Sequence, residues 1–270
     1  MHKIIHFVQN LSLDITAGAI ISCMFLAEVM HVELTNAMLI GLAIAIWLIY
    51  TIDHLVDARK VKEEASNPRH AFHQRFFKPI LALAVLAFIG GLINCFFLPK
   101  YTLYLGIGLS MASGLYFLYL KVNKVHRQKE LFAALVYTLG IFTAPLSLRL
   151  QFDWFVGILL LQFFLLAYAN LLLFPLYELE TDAREGMNSI ARRKGGQYTE
   201  RMLRIVLGLN LIITSLIIVL TEEFYRVEMI IFAMNFALIM LMSKAQFLKR
   251  YQLYRILGDG IFFLPGLYLL

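Results

Sequence analysis

The chain has 270 residues, 60% of them hydrophobic, with a mean hydropathy of +0.74; soluble domains hold about 45–50% apolar residues, so a water-soluble globular fold is excluded. The formal net charge of +6 and the pI near 9.3 come from Lys and Arg spread through segments that flank apolar runs. That distribution, with no zinc-finger spacing, argues against nucleic acid as a partner.

A helix needs about 20 apolar residues to cross the hydrocarbon core, and nine candidates follow one another near 13–31, 36–52, 79–97, 102–120, 130–148, 153–177, 202–220, 224–243 and 251–270. No small-residue cleavage pattern follows the first run, so it reads as a span and not as a removable signal. Lys and Arg accumulate in short cytoplasmic loops. Of the 24 here, 21 lie at the N-terminus or after the second, fourth, sixth and eighth spans, leaving Lys100, Arg149 and Arg226 for the other face. The expectation is an all-α integral membrane protein, one domain over residues 1–270, N-terminus inside and C-terminus outside, in a membrane such as the bacterial cytoplasmic (inner) membrane. Cys23 and Cys95 lie in apolar runs and suggest no disulfide framework.

Taken in order, the first span carries Asp14 near its inner end, and the second ends in Asp53-His-Leu-Val-Asp57. Residues four apart share a helix face, so both carboxylates point one way. The segment 58–78 then brings Arg59, Lys60, Lys62, Arg69, His70 and His73. The two histidines lack further metal-type ligands nearby in sequence and are expected to be solvated. Lys121 closes the fourth span. The sixth carries Asn170, one turn before Phe174, and runs into Glu178-Leu-Glu-Thr-Asp182. There Glu178 and Asp182 share a face while Glu180 points away from them. A polar loop follows with Gly186, Ser189, Arg193 and Gly195, and the ninth span holds Asp259. Carboxylates beside a hydrocarbon layer are expensive and are functional candidates by default; the plain alternatives are ion pairs with neighbouring Lys and Arg, or, for Asp14 and Asp259, a bond to an adjacent helix. Four spans separate the acidic motifs, a layout suggesting two four-helix halves with a ninth helix packed outside them.

These features resemble the UbiA-type superfamily of membrane prenyltransferases over nearly the whole chain. That family has nine transmembrane helices and two aspartate-rich motifs at the cytoplasmic ends of helices 2 and 6. Asp53 and Asp57 match the last two acids of its N-D-x-x-D-x-x-x-D motif, with Ile49 and Tyr50 at the leading positions. Glu178 and Asp182 match the last two of D-x-x-x-D-x-x-x-D, with Phe174 at the first, and Gly186, Ser189, Arg193 and Gly195 keep the family's continuation. Phe117 and Lys121 stand where the family has a Tyr-x-x-x-Lys pattern.

The resemblance implies magnesium-dependent transfer of a prenyl group from an isoprenyl diphosphate donor to a hydrophobic acceptor in the bilayer. Asp53, Asp57, Glu178 and Asp182 would be the catalytic, Mg2+-binding acids. Lys62, Arg69, Lys121 and Arg193 would hold the departing diphosphate, and aromatics such as Tyr50, Tyr168, Phe174 and Tyr177 would face the allylic cation. Quinone precursors, porphyrinoids, sugars and lipids remain open as acceptors. The missing leading acids motivate a second reading: a non-catalytic lipid-diphosphate binding protein or transporter that keeps the fold.

Overall fold

The computed structural model describes residues 7–61, 65–123, 129–149, 153–243 and 253–270, without the side chains of 117 and 120–123. Every regular element among them is helical: α1 (Leu13–Val29), α2 (Asn36–Lys60), α3 (Pro68–Arg75), α4 (Phe77–Asn94), α5 (Lys100–Asn123), α6 (Lys129–Leu148), α7 (Trp154–Tyr177), α8 (Leu179–Glu185), α9 (Ile190–Lys194), α10 (Gly196–Leu220), α11 (Tyr225–Ser243) and α12 (Leu253–Gly260), with short 3₁₀ segments at Cys95–Phe97 and Ile261–Tyr268. Local chemistry sets several starts. The Thr35 side chain accepts from the Met38 amide at 3.4 Å and begins α2. Asp153 takes the Val156 amide at 2.9 Å to begin α7, and Asn67 caps α3 ahead of Pro68, which fills a first-turn position where no amide donor is needed.

Six helices are long and apolar enough to cross a membrane: α2, α4 with its 3₁₀ extension, α6, α7, α10 and α11. They match six of the nine expected spans. Helix α1, at 17 residues, α5 and the α12 segment occupy the other three places. This is an integral membrane protein, and burial sorts its helices. Within the most apolar stretch of α7, 61% of the residues are enclosed by protein, against 11% in α4. Helix α7 is therefore the central staff and α4 presents its sides to lipid. Phe25, Phe142, Phe163 and Leu166 are completely buried where α1, α6 and α7 meet.

The packing order closes a ring. Helix α1 rests on α2 and α6, α6 on α7, α7 on α10 and α10 on α11, while α4 and α5 flank α2 and α6. The C-terminal 3₁₀ segment does not sit outside two halves, as the layout suggested. It is wedged between α11 and α1, because Ile261, Phe262 and Pro265 are buried and the Phe262 carbonyl accepts from Ser22 on α1 at 3.3 Å. The short helices α3, α8 and α9 all lie with the acidic motifs at one end of this ring.

Candidate functional site

The α2 motif delivers its acids as the spacing required. Asp53 and Asp57 line a common cavity, yet each already has a cation: Lys129, the first residue of α6, reaches Asp53 at 3.0 Å and Asp57 at 3.8 Å. Lys60 adds a 2.6 Å contact to Asp57. Between the two acids, His54 turns inward and is buried, with its Nε2 3.1 Å from the Arg69 guanidinium. Arg69 comes from α3 and makes no ion pair among the described residues. Burial, with the nearby Arg255 charge, drives its guanidinium down to about 10 against the opposing pull of the Asp259, Glu178 and Asp14 carboxylates.

The second motif is built by the junction of α7 with α8. Glu178 is clasped by α12: the Tyr254 hydroxyl donates to it at 2.9 Å and Arg255 at 2.7 Å through Nε, and Tyr254 is held in turn by stacking on Tyr177 at 4.4 Å. Asp182 is the motif acid with no ion pair among the described residues. It is buried, and burial raises its carboxyl above the ordinary range, with the Glu178 charge adding to the shift. Gly186 ends α8 at φ +72° and Gly195 turns the chain into α10 at φ +92°, conformations that side chains disfavour. The glycine turns expected after the motif are therefore present.

The loops of the two motifs are joined by Glu185. Its carboxylate accepts from the Asn67 amide at 2.5 Å and the Ser66 hydroxyl at 3.0 Å, and meets His70 Nδ1 at 2.5 Å. His70 and His73 are thus not solvated loop histidines. Both are buried, and His73 donates to the Arg69 carbonyl at 2.9 Å, which fixes the backbone that carries the guanidinium. Sequence spacing had no means of finding Glu185, Lys129 or Arg255, since their partners lie 118, 76 and 77 residues away.

All four motif acids, Arg69, Lys129 and Arg255 line one cavity of about 410 Å³. Behind it a second chamber of about 160 Å³ shares Tyr50, Asp53, His54, Arg69 and Tyr137 with the first and continues to Asn170 and Asp259. Of the four aromatics singled out in the sequence, Tyr50 and Phe174 face both spaces. Tyr177 stacks on Tyr254, and Tyr168 stacks on Phe164. Arg193 pairs with Glu130 at 3.2 Å, and its Nε and one terminal nitrogen have no partner. Lys121 lies on α5 with its side chain outside the description, and Lys62 lies outside the described residues.

Two solved structures share this fold. An apo UbiA homolog from Aeropyrum pernix K1 superposes with a TM-score of 0.68 over 96% of this chain and 97% of that one, at 14% identity. A digeranylgeranylglyceryl phosphate synthase gives 0.56 over 97% and 98%, also at 14% identity. The chain has the UbiA-type fold. No family model and no curated protein matches the sequence.

The UbiA-type fold raises the question of magnesium, and the cavity's charge bears on it. Among the described residues the wall holds six carboxylates, counting Glu130 and Glu185, and four Lys and Arg side chains, with Arg193 reaching Glu130 as well. Among the described residues no three Asp, Glu, His or Cys side chains converge as ligands, so a multi-ligand protein cage is not assembled. Magnesium does not need one: it keeps several waters and is commonly held by one or two carboxylates together with substrate phosphates. Asp182, with Glu178 beside it in the same motif, fits that description. At the first motif Lys129 already stands between the carboxylates.

Proposed function

We propose that the protein binds an isoprenyl diphosphate at this cavity and transfers its prenyl group to a hydrophobic acceptor held in the membrane. The observation that carries the reading is the convergence of both acidic motifs with the Arg69 guanidinium on one cavity, at the end of the ring where most Lys and Arg lie. The UbiA-type fold supports prenyl chemistry, and a neighbour named for digeranylgeranylglyceryl phosphate synthesis favours an apolar donor and acceptor. By the distribution of Lys and Arg, the cavity faces the cytoplasm, with the N-terminus inside.

In this proposal Asp182 and Glu178 would hold magnesium, which would neutralise phosphate charge. Arg69 binds the phosphates from the α3 side. Lys129 holds Asp53 and Asp57 in place and offers its remaining donors to the anion. Tyr50 and Phe174 present ring faces to the allylic carbon, an arrangement worth roughly 2 kcal/mol or more for a desolvated cation.

The test is release of diphosphate from labelled geranylgeranyl diphosphate by purified protein with magnesium and a membrane-lipid extract. The expected result is a labelled lipid product that disappears with EDTA and in Asp182→Asn. Binding without any release, or movement of the intact donor across sealed vesicles, would instead establish the non-catalytic binding or transport reading.

A further inference from the structure

The second chamber has a chemistry that diphosphate binding does not use. Its inner end is formed by Asp259 of α12 and Asn170 of α7, which are 5% and 4% exposed. Asn170 donates from Nδ2 to one Asp259 oxygen at 3.1 Å. The other carboxylate oxygen and the Asn170 carbonyl oxygen have no partner, and Asp259 makes no ion pair among the described residues. The pair is no accident of packing: the neighbouring Gly258 lets α12 approach α7 so closely that a Cβ there would lie 2.8 Å from Asn170 Oδ1 and 2.7 Å from the Phe174 ring. The wall also carries the Tyr137 hydroxyl, buried and without a hydrogen-bond partner, and is otherwise apolar around the pair, with Ile15, Ala167, Leu171 and Phe262.

Both orphaned oxygens of the pair are acceptors, the Tyr137 hydroxyl can donate or accept, and each is costly to bury unpaired. What completes them must bring O–H or N–H donors. Resting on the reading above, we infer that this chamber is the acceptor subsite, and that it selects an acceptor whose polar head is a hydroxyl or amine donor, with its apolar remainder against Phe262 and Leu171. An anionic head fits poorly. Arg69 sits at the seam between the two spaces, but the inner end presents the free Asp259 oxygen and the Asn170 carbonyl oxygen, two acceptors that an anion could not complete.

The experiment measures equilibrium binding of four small amphiphiles to the full chain in lipid nanodiscs, corrected for empty discs: 1-O-octylglycerol, its 2,3-di-O-methyl ether, octylamine and octyl phosphate. The alcohol and amine are read separately, which tells the two donor types apart. At least one is expected to bind tenfold or more tighter than the methyl ether and the phosphate. Asp259→Leu and Asn170→Leu are expected to erase that preference while pyrophosphate binding in magnesium stays within twofold of wild type. A wild-type preference under twofold, a preference for octyl phosphate, or a preference that survives both substitutions overturns the inference. Should Asp259→Leu fail to fold, as loss of pyrophosphate binding would report, Asp259→Asn keeps the shape and removes the charge; it is expected to lose at least fivefold for the alcohol or amine that wild type prefers, and a loss under twofold overturns the inference. Failure of wild type to bind pyrophosphate, with the donor preference intact, would sink the proposed diphosphate site and leave this subsite standing.

Discussion

Lys129 decides how the first motif works. A charge-assisted hydrogen bond is worth about 1.5–3 kcal/mol, so Lys129→Ala is expected to weaken prenyl-diphosphate binding roughly tenfold at low magnesium, by the free-energy-to-affinity conversion. Raising magnesium should restore much of it, because the vacated carboxylates can then take a second ion, and Lys129→Arg should behave nearly as wild type. A magnesium titration of binding in the three proteins checks this; identical curves would mean that Lys129 only trims the helix end. The Glu178 clasp makes a stability claim. Removing one member of a largely buried ion pair costs about 3–5 kcal/mol, and Glu178 and Arg255 are only 14% and 16% exposed. Arg255→Met should therefore lower the melting temperature markedly, and adding Glu178→Gln should recover part of the loss. Additive effects in that double-mutant cycle would deny the coupling.

At the scale of elements, the two motif-bearing loops are held together by Glu185, and the clasp is pH-dependent. Burial would raise its carboxyl, but the Asn67 amide together with His70 and Ser66 outweighs burial and holds it below its ordinary value of 4.5. A depressed acid stabilises the fold fully above that ordinary value and loses the contribution as pH falls through the lower folded value, because the unfolded chain takes up the proton first. Protection of the α3 amides, exchange being corrected for its intrinsic pH dependence, is therefore expected to be high and flat at neutral pH and to fall as pH drops below 4.5. Glu185→Gln should exchange fast throughout; if it matches wild type at neutral pH, the clasp does not hold α3. Helix α12 is tuned by Gly258. A Cβ forced into Asn170 and Phe174 overpacks the contact at about 1–3 kcal/mol, so Gly258→Ala should lower thermal stability and perturb the inner chamber before the outer cavity.

For the molecule as a whole, what the sequence made legible was local. Spacing of four placed Asp53 with Asp57 and Glu178 with Asp182, and apolar length found the spans, because both are properties of a single helix. What stayed hidden needed two distant segments. Lys129, Glu185 and Arg255 each take their partners from another element: α2, the start of α3 and the end of α7. His70 and His73 were misjudged for the same reason, since nothing local foretells that α3 folds in under the ring. Asn170 and Asp259 were visible as polar residues in apolar runs, but their pairing depended on Gly258, whose role is a contact between α12 and α7.

The central claim, that both acidic motifs and Arg69 form one diphosphate-binding cavity, is tested most directly by the non-hydrolysable thiolo analogue of geranylgeranyl diphosphate binding to purified protein. One analogue per chain is expected, displaced by inorganic pyrophosphate, dependent on magnesium, and weakened at least tenfold in Arg69→Ala and in Asp182→Asn. Binding that survives both substitutions, or that pyrophosphate cannot displace, would contradict it.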